Sequence, residues 1–198
     1  MALQGVFRFL FALGIVLLVF FGSPSMVVPG RCQGIQRSLG VLEVSFEYVR
    51  QRTIASNQFA LWIEDAEGNL VKTIYVTRFT GRGGYERRPD CLPTWVGKAN
   101  PSSWPETMMA TIATATPSGG LRVYTWDGRD EAGNLVAPGE YRFFLEANLY
   151  WANRVLYSAS FHYGGESQEE IPLSVWYSGD DARREMIRNL RVRYIASE

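Results

Sequence analysis

From Gly40 the chain alternates: Leu42, Val44, Phe46 and Tyr48 are apolar, and Glu43, Ser45 and Glu47 between them are polar. A period of two puts the apolar set on one face of an extended strand and the polar set on the other, a division that helical geometry does not produce. Such a strand must be covered on one side, so this chain has to build a sheet against a second layer. Further extended segments are expected at 59–64, 70–77, 121–126, 141–149, 154–163, 173–177 and 190–195, each short and bounded by Gly, Asn or Pro. This rhythm predicts an all-β chain with an antiparallel β-sandwich over residues 40–163, rather than a sheet alternating with helices. The expected core comprises Leu42, Val44, Phe46, Leu61, Ile63, Ile74, Val123, Trp126, Tyr141, Phe143 and Leu145. Residues 164–198 are expected to form a C-terminal extension whose last strand packs back onto the sandwich.

The first thirty residues carry one charge, Arg8, followed by the apolar run FLFALGIVLLVFF and then by GSPSMVVPG. That order is the layout of a secretory signal over residues 1–25, with Ser23 and Ser25 at small-residue cleavage positions and 26–39 as linker. An uncleaved N-terminal anchor is the alternative, and only then would the protein contact the membrane. Both readings place the globular part outside the cytoplasm, in the periplasm or an equivalent compartment. Arg31 before Cys32 breaks the small-residue pattern of a lipid-attachment box. Twenty basic residues balance twenty acidic ones, so nucleic acid is not an expected partner. Cys32 and Cys91 are the only cysteines. An oxidising compartment permits them to pair, and the sequence leaves open whether they meet.

Residues 77–118 interrupt the strand rhythm with Gly, Arg, Pro and Trp. An insertion of this length is where specificity is expected, because strand side chains are committed to the core. Ser103 to Glu106 has the spacing of a capping box with Pro105 in the first turn, which predicts a short helix through MMATIATA. Arg78, Arg82, Arg87 and Arg88 surround Gly81, Gly83 and Gly84, a composition suited to an anion or a protein partner. Trp95 and Trp104 either offer rings to a ligand or plug the insertion onto the sandwich. No catalytic set is expected: His162 lacks a serine elbow, and two isolated cysteines make no zinc site. Asp127 and Asp130 lack the spacing of a calcium loop and read as turn residues, so no metal is expected.

Two segments echo each other, Asp65-Ala66-Glu67-Gly68-Asn69-Leu70-Val71 and Asp130-Glu131-Ala132-Gly133-Asn134-Leu135-Val136. In both, an acidic turn reaches Gly-Asn, residues that tolerate positive φ, before an apolar strand resumes. The second echo sits in Thr125-Trp126-Asp127-Gly128-Arg129-Asp130-Glu131-Ala132-Gly133-Asn134, continued by Val136-Ala137-Pro138-Gly139-Glu140-Tyr141. This stretch resembles the immunoglobulin-like module of flagellar hook-capping proteins, which implies an immunoglobulin-like form for the sandwich and admits a structural, hook-cap-related assembly role. Taken with FALWIEDAEGNLVKTIYV, TRFTGRGGYERRP and LPTW, residues 40–164 are similar to an uncharacterised family of predicted periplasmic proteins. The resemblance implies an extracytoplasmic accessory role in the setting of a membrane electron-transfer assembly; the leading expectation is a non-enzymatic accessory or binding protein with a protein partner and no cofactor. One alternative involves a cofactor: Ala113-Thr114-Ala115-Thr116-Pro117-Ser118 partly matches the motif at which exported proteins receive covalent FMN on a threonine, here Thr116. Thr114 stands where that motif has Gly, and only Gly lets backbone approach without a Cβ.

Overall fold

The computed structural model describes residues 37–52, 56–150, 153–179 and 185–198. The N-terminal segment read as a signal therefore lies outside the described residues, as does Cys32. The alternation at Gly40 becomes β1 (Gly40–Tyr48), in which Leu42, Val44, Phe46 and Tyr48 are buried. Among the described residues eight further strands follow: β2 (Gln58–Asp65), β3 (Leu70–Thr77), β4 (Ala113–Thr114), β5 (Gly120–Trp126), β6 (Gly139–Tyr150), β7 (Asn153–Tyr163), β8 (Ser174–Ser178) and β9 (Ile187–Ala196). A three-stranded sheet, β5-β1-β9, faces a six-stranded sheet, β4-β3-β2-β6-β7-β8. The pairings are antiparallel except β3 with β4, which run parallel. The chain is an all-β sandwich with a short helical insertion, and its C-terminal strand β9 is built into the smaller sheet beside β1.

Between the sheets lie Leu42, Val44, Phe46, Phe59, Leu61, Ile63, Phe143 and Leu145, joined by Trp126, Tyr141, Phe161 and Tyr163. A second apolar cluster covers the opposite face of the larger sheet, where Ala60, Trp62 and Val76 meet Leu92, Trp95, Met109 and Ala113 of the insertion. Strand β2 is thus buried on both faces. That explains why Phe59-Ala60-Leu61-Trp62-Ile63 is a continuous apolar run, whereas β1, with one face in solvent, alternates.

Of the expected core residues, Val123 lies outside the core and Ile74 packs against it without being fully buried. Val123 is 52% exposed and Leu121 is 70% exposed, because β5 turns Tyr124 and Trp126 inward. Positions 123 and 126 differ by an odd number, so a regular strand cannot bury both. Ile74 is half-buried at a break in register: Leu61 faces Tyr75, the next pair is Trp62 with Thr73, and Tyr75 occupies the core place.

The insertion contains a π-helical turn (Thr80–Gly84), α1 (Tyr85–Arg87), α2 (Pro93–Ala99), a 3₁₀ turn (Pro101–Ser103) and α3 (Glu106–Ile112). The expected capping box does not form. Ser103 Oγ donates instead to the Asn100 carbonyl at 2.8 Å, and α3 begins after Pro105 without a side-chain cap. The helix is also shorter than MMATIATA, since Ala113 and Thr114 leave it to pair with Val76 and Thr77. β-branched Thr loses χ1 freedom in a helix and little in a strand, which favours that switch.

The two echoing segments fold alike. Asn69 donates its backbone N–H to Asp65 Oδ1 at 2.7 Å and its side-chain amide to Oδ2 at 2.9 Å. Asn134 does the same to Asp130, at 2.8 and 3.4 Å. Gly68 and Gly133 hold φ of 86° and 84° in these turns. Partial burial pushes the Asp65 carboxyl up, but hydrogen bonds from Asn69 and from the backbone around it outweigh that and hold it below its usual range. Its stabilisation is therefore present above the unfolded pKa and is lost as pH falls through the depressed folded value. The second turn also reaches a neighbouring strand, where Glu131 Oε1 accepts the Thr73 N–H at 2.6 Å and the Glu131 N–H donates to the Val71 carbonyl at 3.0 Å. It thereby covers an edge of β3 that would otherwise present unpaired backbone. Along β9, Gln168 and Ile171 cover backbone groups of Tyr194 and Val192 in the same way. Replacing Asp65 by Ala should cost about 1 kcal/mol in a urea titration, from lost hydrogen bonds. Replacing Asp130 should cost about twice that, because the β3 edge cover loosens with the turn. Equal losses would show that the second turn's cover is energetically idle.

Candidate functional site

The insertion is anchored by polar side chains on the outer face of the larger sheet. Gln58 Oε1 accepts from Thr77 Oγ1 at 2.6 Å, from Thr80 Oγ1 at 3.0 Å and from the Thr80 N–H at 3.3 Å, holding the π-helical turn. Asn148 Oδ1 accepts the Leu92 N–H at 2.6 Å, and its amide donates to the Asp90 carbonyl at 2.8 Å. The Glu146 carboxylate takes the Trp95 N–H at 2.8 Å and the Thr94 N–H at 3.2 Å, with Arg154 Nη1 3.4 Å away. Glu64 accepts from Trp62 Nε1 at 2.9 Å and from Lys98 Nζ at 3.2 Å. Trp95 Nε1 donates to Thr73 Oγ1 at 3.2 Å. Gln58, Glu64, Thr73, Glu146 and Asn148 are all buried, so these anchoring side chains sit away from competing water. Burial pushes the Glu146 carboxyl above the usual carboxylate range, against the opposing pull of the Trp95 and Thr94 donors and of Arg154.

This anchorage fixes what the insertion presents. Arg78, Arg82 and Arg87 are exposed and Arg88 is half-buried. Their guanidiniums do not gather round one anion. Arg87 and Arg88 lie over the Phe79 ring, 5.6 and 5.7 Å from its centre. Arg82 opens onto a cavity of about 300 Å³ shared with Tyr85, Glu106 and Met109. Nor do the glycines between them form a loose donor loop. A Cβ at Gly84 would stand 2.3 Å from the Phe79 carbonyl oxygen, so that glycine serves close backbone packing.

Trp95 is completely buried and Trp104 is half-buried, their ring centres 6.0 Å apart. Both rings pack in the apolar cluster that docks the insertion on the sheet, Trp95 inside it and Trp104 against it. Among the described residues, Trp176 on β8 is a large exposed ring, with the Arg154 guanidinium 4.8 Å above it. Thr116 is half-buried in the connection from β4 to β5, where Tyr75 Oη donates to the neighbouring Ala115 carbonyl at 3.3 Å. Cys91 is a buried free thiol among the described residues, raised above its ordinary pKa by burial. His162 is exposed on β7, its Nδ1 2.7 Å from Glu140 Oε1. Asp127 pairs with Arg129 at 3.1 Å, and Asp130 serves its turn.

The polar anchors were legible only in outline. Glu146 and Asn148 alternate with Leu145 and Ala147 in β6, on the face opposite the core, and would pass for solvent-facing residues. The available signal was the apolar run of β2, which needs cover on both sides and so requires its neighbour to be covered too.

These features define a sandwich scaffold that carries one rigidly docked helical insertion. The chain belongs to the predicted periplasmic protein family (DUF2271), whose model matches residues 41–175. No curated protein and no solved structure matches it. Among the described residues no helix is long and apolar enough to cross a membrane.

Proposed function

We propose that this periplasmic chain is a non-enzymatic accessory protein that engages a protein partner through its insertion, in the setting of a membrane electron-transfer assembly. The observation that carries this reading is the combination of buried anchorage and exposed charge: Gln58, Glu146 and Asn148 hold the insertion's backbone, and Arg78, Arg82 and Arg87 face solvent. Rigid presentation lowers the ordering cost of association, and guanidinium forks suit carboxylates on a partner.

The test replaces Arg78, Arg82 and Arg87, the three exposed arginines of this group, together by Ala; Arg88 is left intact because it is half-buried. Exposed charges of this kind contribute about 0 to 1 kcal/mol each, so the triple variant should melt close to the unaltered protein. Its capture of the partner from native membranes should fall, most visibly at low salt. Undiminished capture by the folded variant would sink the reading. The intact mass of the exported protein is expected to equal that of the polypeptide; an added FMN on Thr116 would replace this reading with that of a flavin carrier. Self-assembly into filaments would replace it with a hook-cap-like structural role.

A further inference from the structure

Where β1 ends, the chain borders an open cleft of about 790 Å³ whose lining includes Glu47, Arg50, Arg52, Arg188, Asn57, Ser118 and the backbone of Gly119 and Gly120. Its size is that of a small-molecule site. Arg188 stands opposite Glu47 across the β1–β9 pair and forms an ion pair with Glu185. Arg50 and Arg52 are exposed, and neither guanidinium has a carboxylate partner among the described residues. Three arginines thus stand against two carboxylates, Glu47 in the lining and Glu185 beside Arg188, which leaves one net positive charge, with Arg50 and Arg52 as the guanidiniums that lack a carboxylate.

The rim is built, not loose. Asn57 sits at φ 52° and clasps the chain between the two arginines: its Oδ1 accepts the Gln51 N–H at 2.9 Å and its amide donates to the Gln51 carbonyl at 3.0 Å. The same Oδ1 accepts the hydroxyl of buried Tyr48 at 3.2 Å, which ties the clasp to the core. Across the cleft, Arg122 Nη2 donates to the carbonyl of Ser118 and to its Oγ, the latter at 3.2 Å. Arg122 Nε is buried and has no acceptor among the described residues. Gly119 lies so close to β1 that a Cβ there would stand 3.3 Å from the Tyr48 carbonyl oxygen, leaving the rim at this point as bare backbone.

We propose that this cleft binds a phosphomonoester, with Arg50 and Arg52 as the primary contacts. A phosphomonoester carries about two negative charges at neutral pH and three acceptor oxygens, which match two guanidinium forks in both charge and donor count. The open mouth leaves the esterified body in solvent, so the site reads the phosphate rather than what it is attached to. It is independent of the partner face formed by Arg78, Arg82 and Arg87, and either reading can fail without the other.

Calorimetric titration of the full exported chain with inorganic phosphate and with glycerol 3-phosphate tests free ligands. Flotation with phosphatidylcholine vesicles, with and without phosphatidic acid, tests a lipid headgroup as the source. Saturable binding in either arm is expected. Arg50→Ala and Arg52→Ala should each weaken it roughly tenfold or more, the usual effect of losing hydrogen bonds to a charged group. Arg50→Lys, which keeps charge but not the fork, should fall between. Arg191→Ala, an exposed arginine on the outer face of β9, controls for loss of general charge and should leave affinity within about twofold. Absence of binding in both arms would overturn the proposal, as would equal losses with Arg191→Ala or undiminished binding by folded Arg50→Ala and Arg52→Ala.

Discussion

Glu146→Ala is expected to unfold in urea with about 3 kcal/mol less stability than the unaltered chain, the scale at which removing one member of a buried charged pair destabilises a protein. The substitution leaves the Thr94 and Trp95 N–H groups without their acceptor and Arg154 without its carboxylate. Each is a separate desolvation cost, and water cannot enter the packed layer at Trp95 without opening it. The loss should be local first: amide exchange at Trp95 and Val96 should rise by more than at Leu42 or Val44, which lie between the two sheets. Glu146→Gln, which keeps one acceptor oxygen but turns an NH₂ toward donors, should cost roughly half as much. Uniform exchange across both layers would mean that the insertion and the sandwich open together.

The same residue gives the stability a pH slope. The carboxyl is raised in the folded protein, so the native state binds its proton more tightly than the unfolded chain does. Unfolding then releases a proton, and stability falls as pH rises from the unfolded pKa through the raised folded value. At pH below both, Glu146 contributes no slope. Glu146→Gln should flatten this part of the profile, and an unchanged slope in the variant would assign it to another group.

Gly128→Ala is expected to destabilise the sandwich by about 3 kcal/mol or more, from a strained conformation and an overpacked contact together. Gly128 holds φ 82°, and a Cβ there would fall 1.9 Å from Tyr163 Oη and 2.1 Å from its Cζ. Tyr163 cannot step aside cheaply. Its hydroxyl accepts the Leu39 N–H at 3.0 Å, and its ring stands 5.2 Å from Trp126 in the core. Gly133→Ala separates the two causes: Gly133 has nearly the same φ, 84°, but nothing lies within 4 Å of its added carbon. It should cost about 1 kcal/mol, the conformational share alone. Equal losses at the two positions would remove the contact with Tyr163 from the explanation.

The alternation of Leu42, Val44, Phe46 and Tyr48 determined a one-sided strand, because side-chain direction in an extended chain is a local property that needs no partner. The paired Asp-to-Asn turns were equally local: carboxylate, positive-φ glycine and amide lie within five residues and close on one another. Other features depended on which distant segments pair. Only the register of β5 on β1, Trp126 beside Leu42, shows that Tyr124 turns inward and Val123 outward. Only the docking of the insertion makes Glu146 a buried anchor, since the Trp95 N–H it accepts lies 51 positions away along the chain. The arginine-lined cleft is the same kind of product: Arg50, Ser118 and Arg188 come from three stretches that the local pattern treats as unrelated. Periodicity decides which residues share a face, and long-range pairing decides what that face meets.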